Sequence, residues 1–462
     1  MRNVLLVDFG STYTKVTAVD LDSERILGHA QSWTTVDSDI STGLEKAMEL
    51  LFRETGKLEF EHSYACSSAA GGLRMLVSGL VPALTAEAAR RASLGAGAKI
   101  VRTYAYELTE EDGAEIVAAK PDIFLLAGGI DGGNRECILH NAKILAAAGG
   151  DFPIIIAGNR NAAAECERIL AGRELFRCAN VMPKLGELKV DEVQECIRSV
   201  FLRNIVKAKG LDKAQRIIDS VAMPTPSAVM EAIRLLSEGT EHEKGIGELV
   251  ALDVGGATTD VYSVSKGEPT RVNTIMKGLP EPFVKRTVEG DIGMRYSIHG
   301  ILEAAGAESL AALSGLSVEE VGRRCDALRA DTEAVPQTKE DADMDFALAS
   351  GAALAAMERH AGHIEEAYTA LGRTFLQTGK DLGKVERFIL TGGSLIHTDR
   401  ARQIAAHALA NPLEPMSLRP QRAEVLVDRR YILSAMGLLS LHEPDIALRI
   451  IKKELISDGI AE

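Results

Sequence analysis

The residues best suited to chemistry lie in two short turns. The first, Asp8-Phe9-Gly10-Ser11-Thr12-Tyr13-Thr14-Lys15, follows the apolar run Val4-Leu5-Leu6-Val7 and precedes Val16-Thr17-Ala18-Val19. The second, Asp253-Val254-Gly255-Gly256-Ala257-Thr258-Thr259-Asp260, follows Leu249-Val250-Ala251-Leu252 and precedes Val261-Tyr262-Ser263-Val264. Apolar and β-branched runs around a Gly/Ser/Thr turn predict a hairpin in each place. Asp8 aligns with Asp253, Gly10 with Gly255, Thr14 with Thr259 and Val16 with Val261, all at one constant offset. The repeat predicts an internal duplication of two α/β halves, each opening with a hairpin that carries an acid at the end of its first strand.

Such turns suit a polyphosphate. Glycine lets the backbone approach a ligand closely, and successive N–H groups in a turn make an anion-binding concavity. Ser11, Thr12 and Thr258 add hydroxyl donors. Asp8 and Asp253 would repel a bare phosphate. They make sense with a hard cation between, and Mg²⁺ commonly takes one or two carboxylates plus water. A lone turn of this kind is an ordinary polar hairpin; two matched copies read as a clamp. A third element, the strand-like Phe388-Ile389-Leu390 followed by Thr391-Gly392-Gly393-Ser394, offers two glycines for close approach to a ring or ribose.

As an ordered set these elements resemble the actin, sugar kinase and heat-shock chaperone ATPase superfamily. Asp8 to Lys15 looks like its first phosphate loop, Asp253 to Asp260 like its second, and Leu390 to Ser394 like its adenosine loop. Met223-Pro224-Thr225-Pro226-Ser227-Ala228-Val229 and Ile432-Leu433-Ser434-Ala435-Met436-Gly437-Leu438 resemble its two crossing helices, with Gly437 giving room for helix contact. Within the superfamily, the passages Val4–Asp20, Pro121–Asn134, Pro153–Asn159 and Thr287–Tyr296 resemble the accessory-protein family of methylaspartate (glutamate) mutase, often called MutL or GlmL.

The resemblance implies an α/β, duplicated actin-like ATPase fold: two ribonuclease-H-like halves around a nucleotide cleft, with an inserted α/β subdomain. The expected division is 1–84 for the first part of the N-terminal half and 85–205 for the insertion. The C-terminal half with the connecting helices takes 206–445, and a C-terminal helix takes 446–462. The resemblance also implies ATP and Mg²⁺ as cofactors. Asp8 and Asp253 would hold the metal and, with Thr258, act catalytically. Gly10, Ser11, Thr12, Tyr13, Lys15, Gly255, Gly256, Ala257, Thr258, Glu289, Gly392, Gly393 and Ser394 would contact the nucleotide. The implied role is an ATP-dependent reactivating chaperone for an adenosylcobalamin-dependent mutase or aminomutase, exchanging damaged cobalamin through ATP-driven lobe movement. A homo-oligomer or a small second subunit fits the same reading.

One position departs from the family. The chaperone ATPases begin the first crossing helix with a Glu just before Pro-Thr, whereas this chain has Met223. A thioether accepts hydrogen bonds only weakly, so slow ATP hydrolysis is expected, or a replacement acid at Glu289 or Asp291. The alternatives are a small-molecule kinase of the same fold, for which Asp260 is a poor base by position, and an actin-like ATP-regulated filament or scaffold.

The middle of the chain alternates differently. Thr109-Glu110-Glu111-Asp112 predicts a capped helix running to Lys120. Strand 123–126, helix 135–148, strand 153–157 and helix 161–170 then make a βαβ pattern with parallel strands. The loop Gly128-Gly129-Ile130-Asp131-Gly132-Gly133-Asn134 reads as a tight turn, a docking surface or a ligand contact. Ser67-Ser68-Ala69-Ala70-Gly71-Gly72 is another small-residue loop, with no assigned role. Glu289-Gly290-Asp291 either opens a helix near the nucleotide base or is a solvated loop with an Asp291–Arg295 pair. Stretch 346–362, with Gly351, predicts close helix packing, and 447–455 an amphipathic, core-facing helix.

Composition bounds the rest. The chain has 462 residues, 46% hydrophobic and 26% charged, an ordinary folded mix. With 52 Lys+Arg against 66 Asp+Glu, it has no basic excess to displace phosphate counterions, so no nucleic-acid partner is expected. Six scattered Cys without a Cys-x-x-Cys point to core fillers in a reducing cytoplasm, with no structural zinc. No apolar run reaches the length of about 20 residues that spans a bilayer, and the start is too short and too quickly acidic for a signal peptide.

Overall fold

The computed structural model describes residues 2–10, 12–34, 40–68, 73–208, 218–369 and 372–462. Ser11 and the loop residues Ala69, Ala70, Gly71 and Gly72 lie outside the described residues. The chain divides into two compact units, 1–231 with 434–442, and 232–433 with 443–462.

In the first unit, strands Asn3–Phe9 and Tyr13–Asp20 form the expected hairpin, with Asp8 opposite Lys15. Strand Arg25–Trp33 pairs antiparallel beyond it. On the other side His62–Ser67 lies parallel to the opening strand, and Ser220–Pro224 parallel to His62–Ser67. The opening strand is buried along its whole length. That accounts for its near-continuous apolar run, because a central strand covered on both faces does not alternate.

The second unit repeats this plan. Strands Leu249–Val254 and Thr259–Val264 form the hairpin, with Asp253 opposite Asp260. Val284–Glu289 pairs antiparallel outside it. Arg387–Thr391 lies parallel to the opening strand, and Ala423–Val427 parallel to Arg387–Thr391. The two sheets share strand order, direction and the place of the acid, so the duplication is a property of the backbone as well as of the sequence. The chain therefore has the α/β, duplicated actin-like architecture, each half built on a ribonuclease-H-like sheet.

The inserted α/β element is a five-stranded, all-parallel sheet interposed between the fourth and fifth strands of the first half. Its first strand in sequence, Leu73–Gly79, pairs with Ala98–Ala105 on one side and Ile123–Leu126 on the other. Ile154–Ile156 and Leu175–Arg177 follow. The expected boundary at 85 therefore falls inside this element. Leu73, Met75, Leu76 and Val77 are fully buried, and the inserted sheet is where they find that burial. The boundary at 206 likewise cuts off Ser220–Pro224, which completes the first sheet. Thr109 caps the helix Glu110–Ala119 through a capping box with Asp112, as its acidic start predicts.

The C-terminal segment 446–462 is more than a helix. Pro444–Glu454 buries Ala447, Leu448, Ile450 and Ile451, and the strand Ile456–Ala461 then adds an antiparallel edge to the second sheet. The Ala-rich helix spans Lys339–His360. A Cβ on Gly351 would sit 2.9 Å from the Ala305 side chain and 3.2 Å from those of Ile301 and Leu310, so its close packing is real. A fourth, small sheet joins Thr274–Lys277 to the hairpin of His363–Thr369 and Gly372–Thr378. Among the described residues no helix is long and apolar enough to cross a membrane. All six cysteines are free thiols.

Candidate functional site

The first acid is a closed hub. Asp8 is 3% exposed. Its Oδ1 accepts from the Thr225 hydroxyl at 2.6 Å and from the Cys66 thiol at 3.5 Å. Its Oδ2 accepts from the Ser434 hydroxyl at 3.0 Å and from Lys15 Nζ at 3.3 Å. A carboxylate offers about four lone-pair sites, so all are engaged. Lys15 therefore points to the acid across the hairpin. Burial and the neighbouring Asp8 charge push the Cys66 thiol well above its ordinary pKa, which keeps it a proton-bearing donor.

The loop beyond Asp8 is braced from the neighbouring strand. Gly10 N–H donates to Tyr13 O at 3.0 Å, closing the turn. A Cβ on Gly10 would lie 2.6 Å from that same oxygen, so only glycine fits. The Thr34 hydroxyl donates to Gly10 O at 2.9 Å, and Thr34 N–H donates to Thr12 O at 2.9 Å. Tyr13 packs on Trp33 with ring centroids 4.5 Å apart.

The second acid sits in a more open setting. Asp253 and the loop residues Gly255, Gly256, Ala257 and Thr258 are all half-buried. Gly255 N–H donates to Thr258 O at 2.9 Å, the counterpart of the Gly10 turn. The outer side of this loop is held by the segment after Val284–Glu289. Met294 N–H donates to Gly255 O, and the amides of Arg295 and Tyr296 donate to Gly256 O. Across the hairpin the charge is reversed: Asp260 occupies the register of Lys15 and is bound by Arg286 on the next strand, with Nη2 2.6 Å and Nε 2.8 Å from Oδ1. Asp260 is thus committed to a buried cation, which removes the one acid considered as a kinase base.

Gly392 comes directly against the second acid. Its φ is +96°, and an added Cβ would meet Asp253 Oδ1 at 2.6 Å and Val254 O at 2.5 Å. Ser394 Oγ donates to Val254 O at 3.2 Å, while Gly393 is exposed. Asp253, Gly392 and Ser394 are therefore brought together within the second unit. Glu289 ends its strand opposite Thr259 and accepts from Arg359 Nη1 at 2.8 Å. Arg359 also takes Asp291, while Arg295 pairs with Asp345, so the expected Asp291–Arg295 pair is replaced. Burial raises the Glu289 carboxyl despite Arg359.

Three contacts of the first acid were not read from the sequence as site residues. Cys66, Thr225 and Ser434 lie in quoted motifs or next to them, but only the fold brings them to Asp8. Duplication supplies the missing signal. Cys66 is paired with Asp8 as Thr391 is with Asp253, so Ser67 and Ser68 occupy the register of Gly392 and Gly393. Thr225 follows the fifth strand of its sheet as Asp428 follows the fifth strand of the other. Thr391 Oγ1 donates to Asp428 Oδ2 at 3.1 Å, and Asp428 accepts the amides of Ile432 and Leu433, holding the start of Leu433–Leu439. Met223 is buried in Ser220–Pro224, in register with Cys66. A Cβ on Gly437 would meet Ala228 O at 1.8 Å, so Gly437 does provide the room expected between the two helices.

The loop 128–134 is a tight structural turn. Asn159 Nδ2 donates to the carbonyls of Gly133 and Asn134, and Asn180 Nδ2 to that of Gly129. Within the second hairpin, the half-buried Asp253 and the Thr258 hydroxyl are the kinds of group that bind a hydrated cation and its phosphates. Among the described residues no group of three His, Cys, Asp or Glu could hold an ion, and Mg²⁺ characteristically takes few carboxylates and keeps its waters.

Comparison with known proteins bears on which family uses this arrangement. Three solved structures resemble the chain along nearly its whole length. The activator of the 2-hydroxyisocaproyl-CoA dehydratase from Clostridium difficile with bound ADPNP is 10% identical, with a TM-score of 0.35, covering 98% of this chain and 97% of that one. A ligand-bound xylulose kinase from Lactobacillus acidophilus is 11% identical, with a TM-score of 0.37, covering 100% and 94%. The diol dehydratase-reactivating factor in nucleotide-free form is 12% identical, with a TM-score of 0.32, covering 96% and 100%. In sequence, Protein MutL of Clostridium tetanomorphum is 47% identical over 460 residues, covering 99% of this chain and all of that one. The profile of the family described as MutL protein matches residues 4–455. The chain belongs to the MutL family.

Proposed function

We propose that this protein is an ATP-dependent accessory chaperone that reactivates an adenosylcobalamin-dependent mutase, glutamate mutase or an aminomutase, in the cytoplasm. The observation that carries the reading is the matched pair of acid-tipped hairpins, Asp8 and Asp253, at one position of a duplicated sheet in a MutL-family chain. Bound Mg²⁺ would neutralise phosphate charge, with Asp8 and Asp253 as its carboxylates.

The chain's own residues do the rest. Gly10 and Gly255 close the two turns with their own amides, and the backbone amides of Gly256 and Ala257, with the hydroxyls of Ser11, Thr12 and Thr258, orient phosphate oxygens. Tyr13 and Lys15 shape the first loop, while Gly392, Gly393 and Ser394 line the nucleoside. Glu289 takes part through the second loop it flanks. Phosphoryl transfer depends mainly on such positioning and charge placement. Met223, where an acid would orient water, makes hydrolysis slow, which suits a timer of conformational states. A nucleotide shifts such states only by its differential affinity for them, so mutase affinity should differ between ATP and ADP.

The test mixes the protein with cyanocobalamin-inactivated glutamate mutase or ornithine aminomutase, adds ATP, Mg²⁺ and fresh coenzyme, and assays recovered activity. Recovery that requires ATP is expected. No recovery with either enzyme, or recovery without nucleotide, would overturn the role.

A further inference from the structure

The four donors on Asp8 come from four separate segments. Lys15 lies across the hairpin, and Cys66 is on the neighbouring parallel strand. Thr225 is the first residue of the helix Thr225–Glu238, and Ser434 the second residue of Leu433–Leu439. The last two segments have a special place in the chain. It passes from the first compact unit to the second after Glu231, midway along the helix that Thr225 begins, returns at Ser434 itself, and leaves again after His442. The side chain of Asp8 therefore holds the start of the helix along which the chain leaves the first unit and the start of the helix at which it returns, one through each carboxylate oxygen.

The arrangement is saturated and dry. Asp8, Cys66 and Ser434 are at most 4% exposed. An acceptor with all its lone-pair sites engaged cannot take a further hydrogen bond, from a metal-bound water for example, without giving one up. Lys15 and Cys66 lie on the two strands that pair with that of Asp8, so a change in their contact with Asp8 stays within the sheet. The hydroxyls of Thr225 and Ser434 sit at helix starts, and each can rotate about χ1 to another staggered position.

We infer that Thr225 and Ser434 are positioning residues that carry the state of the first phosphate loop to the helix along which the chain leaves the first unit and the helix at which it returns, by exchanging hydrogen bonds with Asp8. The inference rests on the proposed magnesium-nucleotide site. When a nucleotide occupies the loop, one or both hydroxyls leave the carboxylate, and the first turns of their helices loosen or re-register. When the loop empties, the hydroxyls return. No covalent step is involved; the exchange swaps one hydrogen bond for another.

The experiment is amide hydrogen exchange on the full chain, with and without saturating Mg²⁺ and ATP. Binding is measured in parallel by calorimetry, for wild type, Thr225→Val, Thr225→Ser, Ser434→Ala and the double variant Thr225→Val/Ser434→Ala. In wild type, amides in 226–231 and 435–439 should change exchange rate by about tenfold on nucleotide binding, the scale on which local opening responds to a lost hydrogen bond. At saturation, Thr225→Val should lose the response in 226–231, Ser434→Ala that in 435–439, and Thr225→Ser should restore the first. A purely structural role lowers Tm but leaves the nucleotide response in place. A response undiminished in the double variant would overturn the inference, as would wild-type binding with no response in either segment. Absence of any Mg²⁺-dependent ATP binding by wild type would instead remove the nucleotide site, and with it this inference.

Discussion

The two hairpins are copies in backbone and opposites in electrostatics. In the first, the acid at the strand end is buried and its countercharge, Lys15, stands directly across the ladder. In the second, the acid is half-buried and the residue across the ladder is another acid, Asp260, whose countercharge Arg286 lies one strand further out. Duplication has kept the carboxylate and moved the cation. The first acid is thereby tied into protein structure by four donors. The second shares its ladder position with a like charge that Arg286 offsets, and it faces a glycine-lined loop. The lesson is a division of settings: Asp8 is enclosed by four segments of the chain, and Asp253 stays half-buried beside a glycine turn.

That division predicts a graded series of effects. Arg286→Met should be the most damaging to stability. It leaves Asp260 as a buried, uncompensated charge, at a cost of about 4 kcal/mol, read by chemical denaturation. A loss below about 1 kcal/mol would show that the displaced cation does not carry the second hairpin. Asp8→Ala should follow at about 3 kcal/mol, from a buried ion pair and its hydrogen bonds. Asp253→Ala should cost far less stability while removing Mg²⁺-dependent nucleotide binding. Equal stability losses for the two would erase the contrast.

Gly392→Ala is expected to cost about 2 kcal/mol, since it forces a Cβ onto a left-handed backbone and against Val254 and Asp253. It should also weaken nucleotide binding. A variant of wild-type stability would show that the approach of this turn to the second acid is not tight. Glu289→Gln should be the mildest change. Burial already raises the Glu289 carboxyl above its ordinary value, so the charged form carries a penalty at neutral pH. That penalty is relieved as pH falls through the raised folded pKa towards the unfolded value of about 4.3. Wild type should therefore gain stability relative to Glu289→Gln over that window, and a relative loss would contradict the burial argument.

What the sequence made legible follows from range. The hairpins, their acids and the turn glycines are set by neighbours in the chain, so alternation and turn chemistry expose them. The repeat exposes the architecture for the same reason. The donors on Asp8 are a different matter: Thr225 and Ser434 reach it only because two strands of one sheet and two helices converge, and no local pattern encodes that meeting. Leu73–Gly79 was missed as the core of the inserted sheet because a short apolar run has no period to read. Arg359 displaced Arg295 as the partner of Asp291 because a distant helix end outcompeted a neighbour on the loop.

The most direct measurement is calorimetric titration of Mg²⁺ and ATP into wild type, Asp8→Asn and Asp253→Asn. The account predicts a single site per chain and at least about a tenfold loss of affinity, some 1.4 kcal/mol, in each variant. Wild-type affinity in either variant, or two independent sites per chain, would contradict it.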